Sequence, residues 1–307
     1  MATLKELAAQ KERFVGGHRA CAGCGATIIA RQVLMAAQNP VVVGAATGCL
    51  EVISTIYPYT AWNLPYVHNA FENVAATMSG VEAAYKAFKK KGKINQDLRF
   101  IAFGGDGGTY DIGLQSLSGM IERRNRVLYV CYNNEAYMNT GIQRSSATPT
   151  GANTTTSPAG KSLPGGKLQA RKNLTEIIIA HEPAYAAQAT IGYWNDLVTK
   201  VRKALDADGP SFINILAPCR LGWGYPPEQT VKVTKLAVDT CVWPCYEYEN
   251  GKYKITIKPK EKKPIEEYLK MQVRFGHLFK MKDQSLIKEF QAEVDRIWER
   301  LLKRSES

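Results

Sequence analysis

The sequence has no long apolar run, and this absence excludes whole classes of protein. None of its hydrophobic stretches approaches the roughly 20 residues that a helix needs to cross a bilayer. The N-terminal segment is polar and charged, without the apolar stretch of a secretory signal peptide. We therefore expect neither a membrane segment nor a secretion signal, and we predict a cytoplasmic location.

Cysteine is scarce and odd in number, at seven in 307 residues. An odd count without a secretion signal argues against a disulfide framework. In a reducing compartment, closely spaced cysteines indicate a metal or redox centre instead. Hydrophobic residues at 45% and charged residues at 22% exclude long disorder, collagen and coiled coil. The length suffices for one large α/β domain or two smaller ones.

Acidic residues are few relative to basic ones, 28 against 40, which gives a net charge of +12. Such an excess is compatible with nucleic acid, anionic membranes, anionic substrates or an acidic partner. Much of it lies in local tracts, and none of these shows the interleaving of basic and aromatic residues expected of a nucleic-acid groove. A solvated basic surface explains the charge, so we predict neither nucleic-acid nor membrane binding.

Short apolar runs alternate with amphipathic segments along most of the chain. The predicted strands are 41–46, 100–103, 127–132, 185–191 and 212–216, and the predicted helices between and around them are 27–37, 72–90, 114–124, 174–181 and 196–207. Near-continuous apolar strands separated by helices are typical of a parallel sheet covered on both faces. The pattern predicts an α/β fold with a doubly wound, mostly parallel sheet.

Two segments depart from this alternation. Residues 144–172 are rich in Ser, Thr, Pro and Gly, and long irregular loops of this kind are functional or disordered. After residue 230 the composition changes to a hairpin over 246–256 with its turn at Asn250-Gly251, a Lys-rich linker and a charged helix over about 283–303. We divide the chain into a module, 1–230, and a C-terminal extension, 231–307.

A glycine-rich loop with one acid, Gly104-Gly105-Asp106-Gly107-Gly108, follows a predicted strand and precedes a helix. Glycines let the backbone approach a ligand, and a helix N-terminus favours an anion such as phosphate. A carboxylate beside phosphate requires a divalent cation between them, and oxygen ligands suit Mg²⁺. Asn134 ends the next strand, 28 residues later. Both side chains therefore meet at the carboxyl edge of the sheet, where they can share one cation.

The cysteines form a second pattern. Cys21 and Cys24 make a CxxC pair, which alone is ambiguous among zinc, a dithiol and an iron–sulfur cluster. A zinc site that combines this pair with Cys241 and Cys245 would also supply four thiolates. Spacing alone leaves both alternatives open.

The aspartate loop resembles the motif of thiamin-diphosphate enzymes. In that family the aspartate, an asparagine and a main-chain carbonyl two residues further on hold Mg²⁺ on the diphosphate. The resemblance assigns these roles to Asp106, Asn134 and Ala136.

Several motifs together are similar to those of beta subunits in the 2-oxoacid:ferredoxin oxidoreductase family. They lie at 18–25, 46–51, 57–62, 68–73, 104–113 and 137–145. The resemblance is dense over residues 15–230 and looser beyond. It implies one 4Fe–4S cluster close to the thiamin, and the family's four ligands match Cys21, Cys24, Cys49 and Cys219. The other cysteines, Cys131, Cys241 and Cys245, are then structural.

The same resemblance implies further site residues. Asn139 corresponds to an asparagine that faces the substrate. We expect Thr47 and Gly48 to line the cofactor end of the site. The complete set of expected cofactor-binding residues is Thr47, Gly48, Gly105, Asp106, Gly107, Asn134, Ala136 and Thr140. His68 is expected either near the diphosphate or as a buried structural histidine, and Arg144 either beside an anionic ligand or as a solvated loop residue.

The implied reaction converts a 2-oxoacid, coenzyme A and two oxidised ferredoxins into an acyl-CoA, CO₂ and two reduced ferredoxins. The dense match to the pyruvate-using group favours pyruvate, with oxalate and branched-chain or aryl 2-oxoacids as alternatives. Only one α/β module is present, so we expect activity only with a pyrimidine-binding alpha subunit, a gamma subunit and a ferredoxin-like delta subunit. The C-terminal extension is expected to pack on these partners. A zinc-stapled scaffold and a non-redox thiamin decarboxylase are the alternatives from other classes.

Overall fold

A computed structural model of the chain describes residues 3–306. The strands are β1 Val41–Ala46, β2 Tyr66–Asn69, β3 Arg99–Gly105, β4 Leu128–Asn133, β5 Tyr185–Thr190, β6 Ser211–Leu216, β7 Cys245–Glu249 and β8 Lys252–Ile257. The α-helices are α1 Leu4–Ala8, α2 Gly25–Ala36, α3 Cys49–Ser54, α4 Val74–Lys90, α5 Leu114–Glu122, α6 Leu174–Ile179, α7 Trp194–Asp206, α8 Arg220–Trp223, α9 Thr230–Asp239, α10 Ile265–Lys270 and α11 Ser285–Glu306. A π-helical segment, Gly107–Ile112, lies between β3 and α5. Within this range no helix combines the length and apolarity that a membrane crossing requires.

The strands form one sheet in the order β2-β1-β3-β4-β6-β5-β7-β8. The six strands from β2 to β5 in this order run parallel to one another. Strand β7 pairs antiparallel with β5, and β8 pairs antiparallel with β7. The chain leaves β1 toward the β2 edge and then returns to build β3 and β4 on the other side. The crevice between β1 and β3 is therefore a topological switch point, where open α/β sheets bind ligands.

The sheet is buried on both faces, as its near-continuous apolar strands require. In β3, Ile101 and Phe103 belong to the core beneath α2 and α7. Their alternating neighbours, Phe100 and Ala102, belong to the core beneath α4 and α5. The predicted doubly wound, mostly parallel α/β fold is confirmed.

The predicted strands and helices named above are all present, and their ends lie within three residues of the predicted ones. Short β2 was missed because its four residues include the polar His68 and Asn69 and lie at the sheet edge. The region 144–172 has no helix or strand, as expected.

The segment after residue 230 packs on its own chain. Its hairpin extends the sheet, since β7 pairs with β5. Helix α11 covers a further core through apolar residues at helical spacing, which are Ile287, Phe290, Val294, Trp298 and Leu301. The sheet therefore runs across the predicted boundary at residue 230. Packing of this segment on partner subunits stays a prediction.

Candidate cofactor site

Asp106 lies at the carboxyl end of β3 and is almost fully buried. Its carboxylate accepts hydrogen bonds from Ser145 Oγ at 2.5 Å and from the main-chain N–H of Asn134 at 3.1 Å. Burial raises the pKa of this carboxyl to about 7, although both hydrogen bonds act in the opposite direction. Because both hydrogen-bonding neighbours are neutral, the site offers a buried carboxylate to a cation.

The side-chain amide of Asn134 directs one terminal atom at two oxygens. These are the main-chain carbonyl oxygen of Ala136, at 2.8 Å, and Oδ1 of Asp106, at 2.9 Å. When the terminal atom is nitrogen, it donates to both oxygens. When the amide turns by half a rotation, three oxygens converge on one point, which is a donor set of the kind that Mg²⁺ takes. The residues therefore fit a magnesium ion at this loop, 134–136, which we call the metal loop.

A cavity of about 280 Å³ opens in front of the metal loop. Its lining includes every residue that the sequence predicted to bind the cofactor or face the substrate, namely Thr47, Gly48, Gly105, Asp106, Gly107, Asn134, Ala136, Asn139 and Thr140. Two glycines of the lining have no room for a side chain. A Cβ at Gly107 would lie 2.4 Å from the Tyr137 ring, and one at Gly48 would lie 2.7 Å from the Tyr132 hydroxyl.

The other two residues that the sequence singled out, His68 and Arg144, are not in the lining of this cavity, whereas Thr47 and Asn139 are. Thr47 Oγ1 lies 2.8 Å from His68 Nε2 and also donates to the carbonyl of Asn69. The His68 side chain is 49% exposed, so the alternative of a buried structural histidine is wrong. Asn139 is exposed at the cavity mouth, where a substrate could contact it. Arg144 is an exposed loop residue, as expected.

The four cysteines that the family resemblance selected lie near enough to one another to interact electrostatically. Cys24 immediately precedes α2, Cys49 begins α3 and Cys219 immediately precedes α8. Burial, followed by the neighbouring charges of Cys219, Cys24, Asp106 and Cys21, raises the pKa of the Cys49 thiol to about 12. Cys49 also belongs to the cavity wall. The cysteine group thus adjoins the metal loop.

Among residues 3–306, no three His, Cys, Asp or Glu side chains lie close enough to hold a single metal ion. Cys241 and Cys245 are buried elsewhere: the charged groups facing Cys241 are Lys262, Asp295 and Asp239, and those facing Cys245 are Lys200 and Asp196. The structure does not assemble the alternative zinc site.

Sequence reasoning missed the side chains that support the metal loop from behind. They are Glu135, Ser145, Arg171, Trp223 and Arg274. Glu135 stands between two predicted ligands, and this position in the sequence could have marked it. Arg274 comes from 139 residues further along the chain, and no local pattern announces it.

Comparison with known proteins gives consistent matches. Residues 43–215 match the family described as thiamine pyrophosphate enzyme, C-terminal TPP binding domain. The chain is 56% identical to pyruvate synthase subunit PorB of Thermotoga maritima, over 97% of this chain and 95% of that protein. It is 55% identical to the PorB subunit of Methanocaldococcus jannaschii, over 88% and 91% of the two chains.

Two further matches extend this set. Ketoisovalerate oxidoreductase subunit VorB of Pyrococcus abyssi is 46% identical, over 96% of this chain and 94% of that one. Among solved structures, 2-oxoglutarate:ferredoxin oxidoreductase from Magnetococcus marinus, with 2-oxoglutarate, coenzyme A and succinyl-CoA bound, aligns with a TM-score of 0.55 and 20% identity. That alignment covers 68% of this chain and 66% of the other, and it supports the fold alone.

Proposed function

Because this chain belongs to the thiamine pyrophosphate enzymes and, within them, to the family of pyruvate synthase PorB subunits, we propose that it is the cofactor-binding beta subunit of a pyruvate:ferredoxin oxidoreductase. The complete enzyme would convert pyruvate, coenzyme A and two oxidised ferredoxins reversibly into acetyl-CoA, CO₂ and two reduced ferredoxins. The observation that carries the proposal is the single cavity that joins the metal loop to Cys49.

Thiamin diphosphate, when bound, supplies the nucleophilic carbon and the electron sink for decarboxylation. This chain would bind its diphosphate end. Asp106, Asn134 and the Ala136 carbonyl would hold Mg²⁺, and the backbone at Gly105 and Gly107 leaves room for the phosphates. The wall formed by Thr47, Gly48 and Thr140 would enclose the rest of the bound molecule.

The cysteine group would hold one 4Fe–4S cluster, which is a one-electron carrier. The proposed ligands are Cys21, Cys24, Cys49 and Cys219. Support comes from the electrostatic interactions among these thiols and from Cys49, which borders the cavity directly. A cluster at this place would lie next to the reacting centre, as transfer of single electrons requires.

Asn139 is the proposed substrate-facing residue. It lies on the exposed rim, and its amide can donate a hydrogen bond to the carboxylate or keto oxygen of a 2-oxoacid. Exposure of this rim agrees with a site that is completed by another subunit.

We propose that the chain works with alpha, gamma and ferredoxin-like delta subunits and delivers electrons to ferredoxin. The PorB relatives are subunits by name. The division into a pyrophosphate-binding module, 1–230, and a C-terminal extension, 231–307, that packs on these partners is part of the same proposal, as is a cytoplasmic location.

A branched-chain 2-oxoacid is the second candidate substrate. The observation that favours it is the 46% identity to a ketoisovalerate oxidoreductase subunit. Pyruvate stays the first candidate because the identity to a pyruvate synthase subunit is higher, at 56%.

The experiment is a ferredoxin-reduction assay on the chain assembled anaerobically with its partner subunits. Pyruvate, 2-ketoisovalerate and 2-oxoglutarate are compared, each with and without coenzyme A. We expect the highest kcat/KM with pyruvate and no turnover without coenzyme A. Preference for 2-ketoisovalerate would transfer the assignment to that substrate. Release of CO₂ without ferredoxin reduction would support the non-redox alternative.

A further inference from the structure

One tryptophan joins the segment that carries Cys219 to the metal loop. The main-chain N–H of Trp223 donates to the Cys219 carbonyl at 2.9 Å, and the main-chain N–H of Gly222 donates to Cys219 Sγ at 3.4 Å. Cys219 and Trp223 therefore form a single hydrogen-bonded turn. The indole N–H of Trp223, which is completely buried, donates to the main-chain carbonyl of Asn134 at 2.8 Å.

The metal loop is held from the same side by a buried ion triad. Glu135 is fully buried, with a φ of +66° that turns its side chain away from the cavity. Its carboxylate accepts from Arg171 at 2.6 Å and from Arg274 at 2.5 Å. The Arg274 guanidinium also lies 4.0 Å from the centre of the Trp223 ring. One guanidinium thus contacts both the cysteine turn and the metal loop.

These contacts divide the loop into a front and a back. Asn134 and Ala136 border the cavity, whereas the Asn134 carbonyl and the Glu135 carboxylate bind Trp223 and the arginines behind it. A displacement of the Cys219 turn would therefore change the position of Asn134. Apolar packing alone would give Trp223 a role in folding but no influence on ligand binding at the front.

We propose that Trp223 is a positioning residue that couples the cluster site to the metal loop, so that an occupied cluster site strengthens binding of thiamin diphosphate and Mg²⁺. The proposal rests on the proposed function, since it takes the four cysteines as cluster ligands. By linkage, bound thiamin diphosphate must strengthen retention of the cluster by the same factor.

The test compares two buried tryptophans whose indole N–H groups donate to main-chain carbonyls in different parts of the chain. Trp243 is also buried, donates its indole N–H to the Ala189 carbonyl at 2.8 Å and lies beside Arg171 of the same triad. Its acceptor belongs to β5, away from the cavity. Trp243→Phe is therefore the matched control for Trp223→Phe, because each substitution removes one buried hydrogen bond and keeps the aromatic packing.

The assembled complex is prepared with each variant, and the dissociation constant of thiamin diphosphate is measured calorimetrically at saturating Mg²⁺. Each measurement is made before and after iron is removed by oxidation and chelation. Clusters in the partner subunits are lost equally from all variants. The difference in thiamin diphosphate affinity between the two variants therefore reports on the Cys219–Trp223 turn alone. Iron and bound thiamin are quantified first: a complex that binds neither overturns the proposed function and this inference together.

In the wild-type complex and in the Trp243→Phe control, we expect iron removal to weaken thiamin diphosphate binding about fivefold. That factor corresponds to the net contribution of one buried hydrogen bond. With Trp223→Phe, binding should be about fivefold weaker with iron present and change less than about twofold on its removal. Arg274→Lys, which keeps the charge and loses the flat stack on the indole, is the second variant and should shift in the same direction. Equal affinity with and without iron in the wild type, or equal behaviour of the two Trp→Phe variants, would overturn the coupling while leaving the proposed function intact.

Discussion

The metal loop and the loop that carries the CxxC pair, residues 18–24, are built in opposite ways. In the metal loop, Glu135 is held by two arginines, Trp223 binds a main-chain carbonyl, and the side chains are almost fully buried. The cysteine loop relies on main-chain hydrogen bonds, such as Cys24 N–H to the Cys21 carbonyl at 3.1 Å, and Cys21 is exposed.

The two loops differ in what holds them. In the metal loop the proposed ligands Asp106 and Asn134 take part in buried hydrogen bonds, and the intervening Glu135 forms two buried ion pairs. The cysteine loop is fixed chiefly at Gly23, where φ is +72° and Thr230 donates to the main-chain carbonyl at 2.8 Å. The metal loop is therefore supported by buried side chains, whereas the cysteine loop is supported chiefly by its main chain.

The largest effect on the comparison between the metal loop and the cysteine loop is expected for Asp106→Ala. Thiamin diphosphate affinity of the assembled complex should fall by at least about a hundredfold, because loss of a direct ligand costs more than loss of a supporting group. Iron content should change far less than thiamin affinity, because the proposed coupling alters cluster retention by only about fivefold. The control is Asp97→Ala, an exposed aspartate at the opposite end of β3. Unchanged thiamin retention in Asp106→Ala would place the metal elsewhere.

Substitution of Glu135 tests whether ion pairs stabilise the metal loop. Glu135→Gln should lower the free energy of unfolding by about 3 kcal/mol, because it leaves two buried guanidinium groups without their carboxylate. Glu12→Gln breaks the exposed pair with Arg31, at the helix that follows the cysteine loop, and should change stability by less than about 0.5 kcal/mol. Urea unfolding of the metal-free chain gives both values. Equal effects would remove the contrast between the two loops.

The smallest expected effect concerns Lys167, which lies in the irregular region 144–172 and bonds within it. Its buried ammonium donates to the carbonyls of Thr148, Gln169 and Ala170, and burial, followed by the charges of Arg144 and Arg171, lowers its pKa to about 8. Between pH 8 and the usual value of 10.5, the unfolded chain binds this proton and the folded chain does not, so stability rises with pH there and is lost as pH falls through about 8.

Relative to Lys167→Met, the wild-type free energy of unfolding should therefore increase by roughly 2 kcal/mol between pH 8 and pH 10. The exposed lysine of the same loop gives the control, and Lys161→Met should follow the wild-type curve. A pH profile of Lys167→Met parallel to that of the wild type would show that this amine titrates normally.

The front of the site could be predicted from the sequence because its residues lie in short motifs at the ends of predicted strands. Asp106 and Asn134 each end a strand, and parallel strands bring their carboxyl ends together. The back of the site escaped prediction because its contacts are remote: Arg274 reaches Glu135 across 139 residues and Trp223 reaches Asn134 across 89. Spacing also left the partners of Cys21 and Cys24 undecided, since only the fold places Cys219, and not Cys241, beside them.

The most direct test of the central claim, that one chain places a redox cluster against a thiamin site, is metal and acid-labile sulfide analysis of anaerobically purified chain. The account predicts about four iron and four sulfide per chain, with a brown charge-transfer absorbance. It also predicts that Cys219→Ala lowers the iron content and Cys241→Ala does not. One zinc per chain, without sulfide, in protein never exposed to air would contradict it.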